Sequence, residues 1–191
     1  MKNKQIFEFS KNKTDGDSSL NDLLGGKGAN LAEMSKMGIP VPPGFTITTE
    51  VCNYFTENKK LPENFNKDIK EAVYKLETVS DKSFGNKGTP LLLSVRSGGR
   101  ISMPGMMDSI LNIGLNDNNV AQLAETFNDE RFALDSYRRL IQMYSNVVLG
   151  VEHDRFEAVL ANKKRLDNVA SDADFNVDQL EWIINAYKNT V

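Results

Sequence analysis

The sequence predicts an α+β protein made of an α/β lobe over residues 1–115 and a mainly helical lobe over residues 116–191. An apolar, β-type run over residues 91–95 has the length and composition of a buried strand. A glycine-rich turn over residues 24–30 leads into a helical pattern, which is typical of α/β architecture. All six prolines and twelve of the thirteen glycines precede Asn116, so the remainder is expected to be helical.

The first lobe is expected to open with a short strand over residues 5–9, where a parallel or mixed sheet begins. A helix follows from residue 27 to 36, with Leu31 and Met34 on one face. It must end before Gly38, because the prolines that come next force an extended path. The other elements of this lobe are a strand at 45–48, a helix capped by Thr48 or Thr49, a helix from Pro62, a loop at 81–88 and the buried strand at 91–95.

The second lobe contains four predicted helices and only Gly150 to interrupt them. Their apolar residues recur at helical spacing, most clearly on the broad face that includes Phe132, Tyr137 and Leu140. Core packing explains that face. The predicted helices span residues 119–127, 129–149, 152–166 and 177–189.

Composition sets limits on location and partners. A net charge of −3 and a pI near 5.3 argue against a general nucleic-acid or membrane-surface role. No segment approaches the roughly 18 apolar residues of a membrane span. The single cysteine, Cys52, excludes an internal disulfide and suits a reducing compartment. We therefore expect a cytoplasmic protein whose phosphate site, if it has one, is a local basic pocket.

Two cations beside glycine-rich turns are the candidates for phosphate chemistry. A bound triphosphate needs cations and oriented N–H groups to offset its charge. Lys27 lies at a helix start, and Arg96 lies at a strand end, where ligands collect in α/β folds. After Arg96, Ser97 and Gly98 begin a small turn whose N–H groups could face an anion. From sequence position alone, either cation could equally be an exposed surface charge.

The loop that follows is rich in methionine and too interrupted by proline and glycine to be a helix. Gly105, Met106 and Met107 fall in this segment, and clustered methionines form an adaptable apolar surface that suits a planar base. Asp108 either holds the loop by capping or orients a ligand. The alternative for the whole stretch is a core strand followed by an irregular hairpin loop.

Four further side chains have ambiguous roles. Arg100 is either a phosphate contact or half of a surface ion pair. Arg138 and Arg139 lie beside a helical core face, where a salt-bridged role is favoured over a reach into a phosphate cleft. His153, the only histidine, is expected on the surface. A single carboxylate such as Asp108 does not make a metal site, so no metal ligands are predicted.

Two runs carry a specific resemblance: LLGGKGANLAEMSKMGIPVPPGFTITTEVC, and LLLSVRSGGRISMPGMMDSILNIGLND. Together they are similar to the N-terminal nucleotide-binding part of the pyruvate phosphate dikinase family, and the likeness continues more loosely through SYRRLIQMYSNVVLGV. The loop SMPGMMDS favours the dikinases over water-dikinase relatives such as phosphoenolpyruvate synthase. Gly99 stands where the family usually has alanine, and Ser109 where it usually has threonine.

The resemblance implies the first lobe of an ATP-grasp fold with a mixed sheet, in which Lys27 and Arg96 contact the phosphates of ATP. The parent reaction would convert ATP, phosphate and pyruvate to AMP, diphosphate and phosphoenolpyruvate through a phosphohistidine. His153 does not match that phosphohistidine motif. The histidine and pyruvate domains and the Mg²⁺ ligands would lie outside these 191 residues, in a parent that forms a homodimer. The chain alone should then be inactive. The alternatives are a free-standing nucleotide- or phosphate-binding regulatory module and a water-dikinase relative.

Overall fold

The computed structural model describes residues 4–85, 88–97 and 109–191. The predicted α+β class is confirmed. Within these ranges the strands are β1 (Ile6–Phe9), β2 (Gly44–Ile47), β3 (Leu93–Arg96) and β4 (Ser109–Ile113). The helices are α1 (Asn21–Lys36), α2 (Thr49–Asn58), α3 (Phe65–Ser80), α4 (Val120–Phe127), α5 (Glu130–Val147), α6 (His153–Asp167) and α7 (Val177–Lys188). No described helix is both long enough and apolar enough to cross a membrane.

The described residues fall into two compact units, the first formed by residues 4–81 and 97 and the second by residues 82–85, 88–96 and 109–191. In the first unit, β1 and β2 pair antiparallel, with Ile6 opposite Ile47 and Phe9 opposite Gly44. A side chain at Gly44 would collide with the Phe9 ring, whose nearest atom lies 2.5 Å from an added Cβ. Helices α1 and α3 pack against this strand pair. The buried side chains of the unit include Phe9, Leu24, Val51, Phe65 and Leu76.

The second unit is a helical bundle against which a strand pair packs. Strands β3 and β4 are antiparallel, and β4 lies on α5. In the core, the rings of Phe156 and Tyr187 meet edge to face with centroids 4.9 Å apart. On the surface, Trp182 of α7 lies under the ammonium of Lys163, which is 4.9 Å from its ring centroid. The core also contains Ile110, Leu115, Leu123, Leu160, Leu180 and Ile183.

The predicted helices of the second unit are confirmed, each to within two residues at its ends. The helix expected from Pro62 begins instead at Phe65. The domain boundary at residue 115 stays a prediction, although Ile110 and Leu115 share one core with the helices that follow them.

Two predictions about the strands are wrong. The mixed sheet is replaced, among the described residues, by two separate antiparallel strand pairs. The strand predicted to be buried begins at Leu93, and its Val95 is 50% exposed. A strand with partners on both sides and cover on both faces is buried throughout. Here each strand has one partner and is largely half-buried or exposed, so the apolar run signals one covered face only.

Candidate functional site

Helix α1 is interrupted at the glycine-rich turn predicted from the sequence. Gly25 has φ 69° and ψ 161°, so the helix breaks there and starts again at Gly26. We call Leu24–Lys27 the glycine kink. The first turn of a helix leaves N–H groups without carbonyl partners, and its dipole favours an anion. Lys27 therefore stands in the first turn of the restarted helix, as its proposed role requires, and is half-buried.

Gly28 fixes the restarted helix against the sheet. A Cβ added to Gly28 would lie 2.6 Å from Cγ2 and 2.8 Å from Oγ1 of Thr46 in β2. Glycine at this position is thus needed for close helix–strand packing. Because the contact holds the helix start at a set distance from β2, it also fixes the position of Lys27.

Gly26 is a different kind of glycine. Its φ is not positive, and the only atom near an added Cβ is Oδ1 of Asn21 at 3.5 Å, an ordinary contact. Neither backbone strain nor packing therefore explains glycine at this position. Its effect is to leave the backbone N–H groups of the helix start uncovered.

Both ends of α1 are held by hydrogen bonds to other segments. At the N-terminal side, the hydroxyl of Thr49 donates to the carbonyl of Asp22 at 2.8 Å. At the C-terminal side, the hydroxyl of Ser35 donates to the carbonyl of Ser10 at 3.0 Å. The sequence predicted that Thr48 or Thr49 would cap α2. Thr48 lies at the N-cap position, but its side chain makes no capping hydrogen bond. The Thr49 hydroxyl bonds instead to the segment before the glycine kink.

Lys27 is half-buried and has no ion pair among the described residues, whereas other lysines of this unit without one, such as Lys11 and Lys59, are exposed. Lys4 pairs with Asp15 at 2.7 Å, Lys36 with Asp17 at 3.0 Å, and Lys75 with Glu8 at 2.9 Å. Among the residues that the structure describes, no carboxylate pairs with Lys27. Its charge is therefore not offset by any described neighbour.

Arg96 lies at the end of β3 in the second unit, opposite Ser109 of β4. It is exposed, and Ser97 after it is exposed too. In the part of the chain that the structure describes, Arg96 has no ion pair. Lys27 belongs to the first unit and Arg96 to the second. The other predicted contact residues, Gly98, Gly105, Met106, Met107 and Asp108, lie outside the described residues, as does Arg100.

Arg138 is an interior residue of the second unit, 3% exposed. Its Nε donates to Asp135 Oδ1 at 2.9 Å, and its Nη1 donates to Gln142 Oε1 at 3.2 Å. Burial opposes its charge, but the Asp135 carboxylate outweighs this and raises the pKa of Arg138. The salt-bridged role favoured from sequence is thus confirmed.

Arg139 and His153 both lie beside carboxylates on the surface. Nε of Arg139 lies 2.9 Å from Asp135 Oδ2, so one carboxylate serves both arginines. Nε2 of His153, which is exposed, lies 3.4 Å from Glu157 Oε1. Both residues are thus surface residues, as expected for His153 from the sequence.

A separate open cavity of about 430 Å³ lies in the second unit. Its wall is mainly apolar, with Leu140, Tyr144 and Leu149, and Lys188 stands at its edge beside Asp117. None of the residues predicted to contact nucleotide lines it. Across residues 4–85, 88–97 and 109–191, no three His, Cys, Asp or Glu side chains come together as potential metal ligands.

The glycine kink falls in a segment with a known family. Residues 21–83 match the family model described as "Pyruvate phosphate dikinase, AMP/ATP-binding domain". The chain therefore contains a nucleotide-binding domain, and Lys27 lies within it.

Full-length relatives show which nucleotide-binding family this is. The chain is 49% identical over 186 residues to the pyruvate, phosphate dikinase of Rickettsia conorii. It is 46% identical over 191 residues to that of Rhizobium meliloti, and 46% identical over 187 residues to the chloroplastic one of Mesembryanthemum crystallinum. These alignments cover 97–98% of the chain. The chain belongs to the pyruvate phosphate dikinase family and corresponds to its N-terminal part. It spans 20–21% of the length of these relatives.

Proposed function

We propose that this chain is the ATP-binding N-terminal part of a pyruvate phosphate dikinase, and that the glycine kink binds phosphate groups of ATP. The observation that carries the proposal is the restarted helix, which has no side chain at Gly26 and has Lys27 in its first turn without an ion pair among the described residues. These are the features that an anion-binding helix start needs. The family model, which is described as an AMP/ATP-binding domain, supports ATP as the source of those phosphates.

Each residue has a stated part in this proposal. Lys27 and the kink N–H groups hold phosphate oxygens and stabilise the negative charge on them. Arg96 supplies a second cation from the end of β3. The remaining predicted contacts are Ser97, Gly98, Gly105, Met106, Met107 and Asp108, with the methionines against the base.

The whole-protein reaction is part of the proposal. ATP, phosphate and pyruvate would give AMP, diphosphate and phosphoenolpyruvate, with a phosphohistidine located outside these 191 residues. Mg²⁺, when bound, would offset part of the negative charge on the phosphates. The described residues offer no ligand cluster for it, so its proposed ligands lie elsewhere in the parent. The proposed partners are phosphate and the remaining domains of a homodimeric, cytoplasmic parent that binds neither nucleic acid nor membrane.

Nucleotide titration of the 191-residue chain, followed by NMR chemical shifts, tests the site. We expect millimolar dissociation, about −4 kcal/mol, because an open site screens its charges. Affinity should change little with Mg²⁺ and fall as salt rises.

Lys27→Met should weaken binding at least severalfold, whereas Lys67→Met, at an exposed position in α3, should not. Equal behaviour of the two variants would refute the role of Lys27, and micromolar, metal-dependent binding would show that the site is complete within this chain.

A further inference from the structure

Among the residues that the structure describes, two buried oxygen atoms of the first unit have no hydrogen-bond partner. Thr48 is 1% exposed, and its Oγ1 has none among the described residues. The same holds for Oε1 of Gln5. Buried polar atoms almost always have a hydrogen-bond partner, because an unpaired one loses its hydrogen bonds to water and gains none within the protein. Two such atoms in one small unit therefore need an explanation.

The two residues face each other across the strand pair. The N–H of Thr48 donates to the carbonyl of Gln5 at 3.0 Å, which extends the ladder one step beyond Ile6 and Ile47. Side chains alternate along a strand, and directly opposed residues point to the same face. Thr48 and Gln5 therefore share the face of Thr46, the residue that Gly28 touches.

That face lies under the glycine kink. Gly28 packs on Thr46, and the carbonyl of Asp22 accepts from Thr49 at 2.8 Å. Along the segment from β2 to α2, the contacting residues 46 and 49 lie on either side of Thr48. Along α1, the contacting residues 22 and 28 lie on either side of Gly25. Thr48 thus lies between two residues that contact α1 on either side of its break, and Gln5 lies opposite Thr48 on β1.

The ordinary reason for a threonine at position 48 does not apply. Thr48 occupies the residue before α2, where a hydroxyl commonly accepts from a helix N–H, yet it makes no such bond. Valine would fill the same volume without an unpaired hydroxyl. The described hydrogen bonds of the first unit therefore give the Thr48 hydroxyl no role.

We propose that Thr48 is a positioning residue for the phosphate-binding kink, with Gln5 as its companion. This rests on the proposed function of the kink. When phosphate oxygens accept from the N–H groups at Gly26 and Lys27, the kink backbone shifts. The Thr48 hydroxyl then donates to a kink carbonyl, and the Gln5 oxygen accepts from a kink N–H. The bound state gains bonds that the free state lacks, and this difference favours binding.

The test compares three variants of the 191-residue chain by thermal unfolding and by ATP titration at low ionic strength. Thr48→Val should leave Tm unchanged or raise it by about 2–4 °C, because it deletes an unpaired hydroxyl. It should weaken ATP binding about threefold to tenfold, the value of one hydrogen bond. Thr48→Ser should restore wild-type affinity. Thr49→Val, the matched control, deletes a bond that is made and should lower Tm by about 2–4 °C.

The outcomes separate this inference from the proposed function. If wild type binds ATP and Thr48→Val binds it equally well, the positioning role is wrong while the kink remains a phosphate site. A lower Tm for Thr48→Val would mean that the hydroxyl is already bonded without ligand, which also overturns the inference. If wild type and all variants fail to bind ATP, the proposed function fails, and the positioning role fails with it.

Discussion

Gly26 and Gly28 should respond in opposite ways to the same added methyl group. Gly28→Ala should cost about 1–3 kcal/mol of stability, because the methyl meets Thr46 at 2.6 Å. Gly26→Ala should be neutral or stabilise by up to about 1 kcal/mol, since its site is open and helical. Its methyl should nevertheless weaken ATP binding by covering the helix start. Thermal unfolding and NMR titration of both variants measure these effects.

A double variant checks the cause assigned to Gly28. Thr46→Ala removes the two nearest atoms and leaves only Cβ at 3.2 Å, so it should recover part of the loss in Gly28→Ala. Additive losses would show that Gly28 is required for another reason. Unchanged ATP binding in Gly26→Ala would mean that the phosphate does not approach this turn.

Arg138 and Arg139 offer a second contrast between neighbours that share one carboxylate. Arg138→Met should destabilise the second unit by about 3–5 kcal/mol, because it removes the buried partner of Asp135 and leaves that carboxylate only the exposed Arg139. Arg139→Met removes an exposed pair and should cost less than about 1 kcal/mol. Calorimetric unfolding of the two variants gives the comparison. Similar losses for both would contradict the interior position of Arg138.

Among the secondary-structure elements, long helices whose apolar residues recur at helical spacing were predictable from the sequence. The apolar face of α5 repeats over five turns, and its N-cap Asp129 accepts from the N–H of Phe132. The break in α1 was only partly predictable, because two adjacent glycines permit a kink without fixing which one bends. The exposure of Val95 was not predictable, because cover for a strand comes from segments distant in sequence.

For the site, residue type and turn position indicated Lys27 and Arg96, since cations next to glycines are visible in sequence. The part proposed for Thr48 and Gln5 was not predicted. Their pairing depends on the register of β1 against β2, which residues 5 and 48 do not show when each is read alone. The proximity of Thr49 to Asp22 was hidden for the same reason.

Acid should destabilise the ties between β1, α1 and α3. Hydrogen bonding from Lys75 on α3 lowers the pKa of Glu8 from 4.5 despite partial burial. The Ser19 hydroxyl and Lys36 lower the pKa of Asp17 from 3.8 to about 2. Depressed carboxyl pKa values contribute stability above the unfolded values and lose it as pH falls. Stability should therefore drop from pH about 4.5 toward 2.

Unfolding of the first unit measured against pH tests this. Lys75→Met removes the largest cause of the Glu8 shift, so its stability should fall less over the same range. Lys67→Met, again the control, should follow the wild-type curve. A Lys75→Met curve parallel to wild type would show that Glu8 has an ordinary pKa.

The whole molecule is short in comparison with its dikinase relatives. We expect no phosphoenolpyruvate when this 191-residue chain is mixed with ATP, phosphate, pyruvate and Mg²⁺, because it spans about a fifth of its dikinase relatives. A coupled assay for phosphoenolpyruvate, with boiled chain as the blank, measures it. Turnover above the blank would place the whole reaction within these residues.

The surface tryptophan of α7 gives the chain an optical property of its own. Trp182 is the only tryptophan and lies in the second unit, and Cys52 is the only cysteine and lies exposed in the first. A dye attached to the thiol therefore forms an energy-transfer pair with the indole without any mutation. Because the pair has one member in each unit, transfer efficiency reports directly whether ATP changes the separation of the two units. Indole emission alone would follow the second unit as it unfolds.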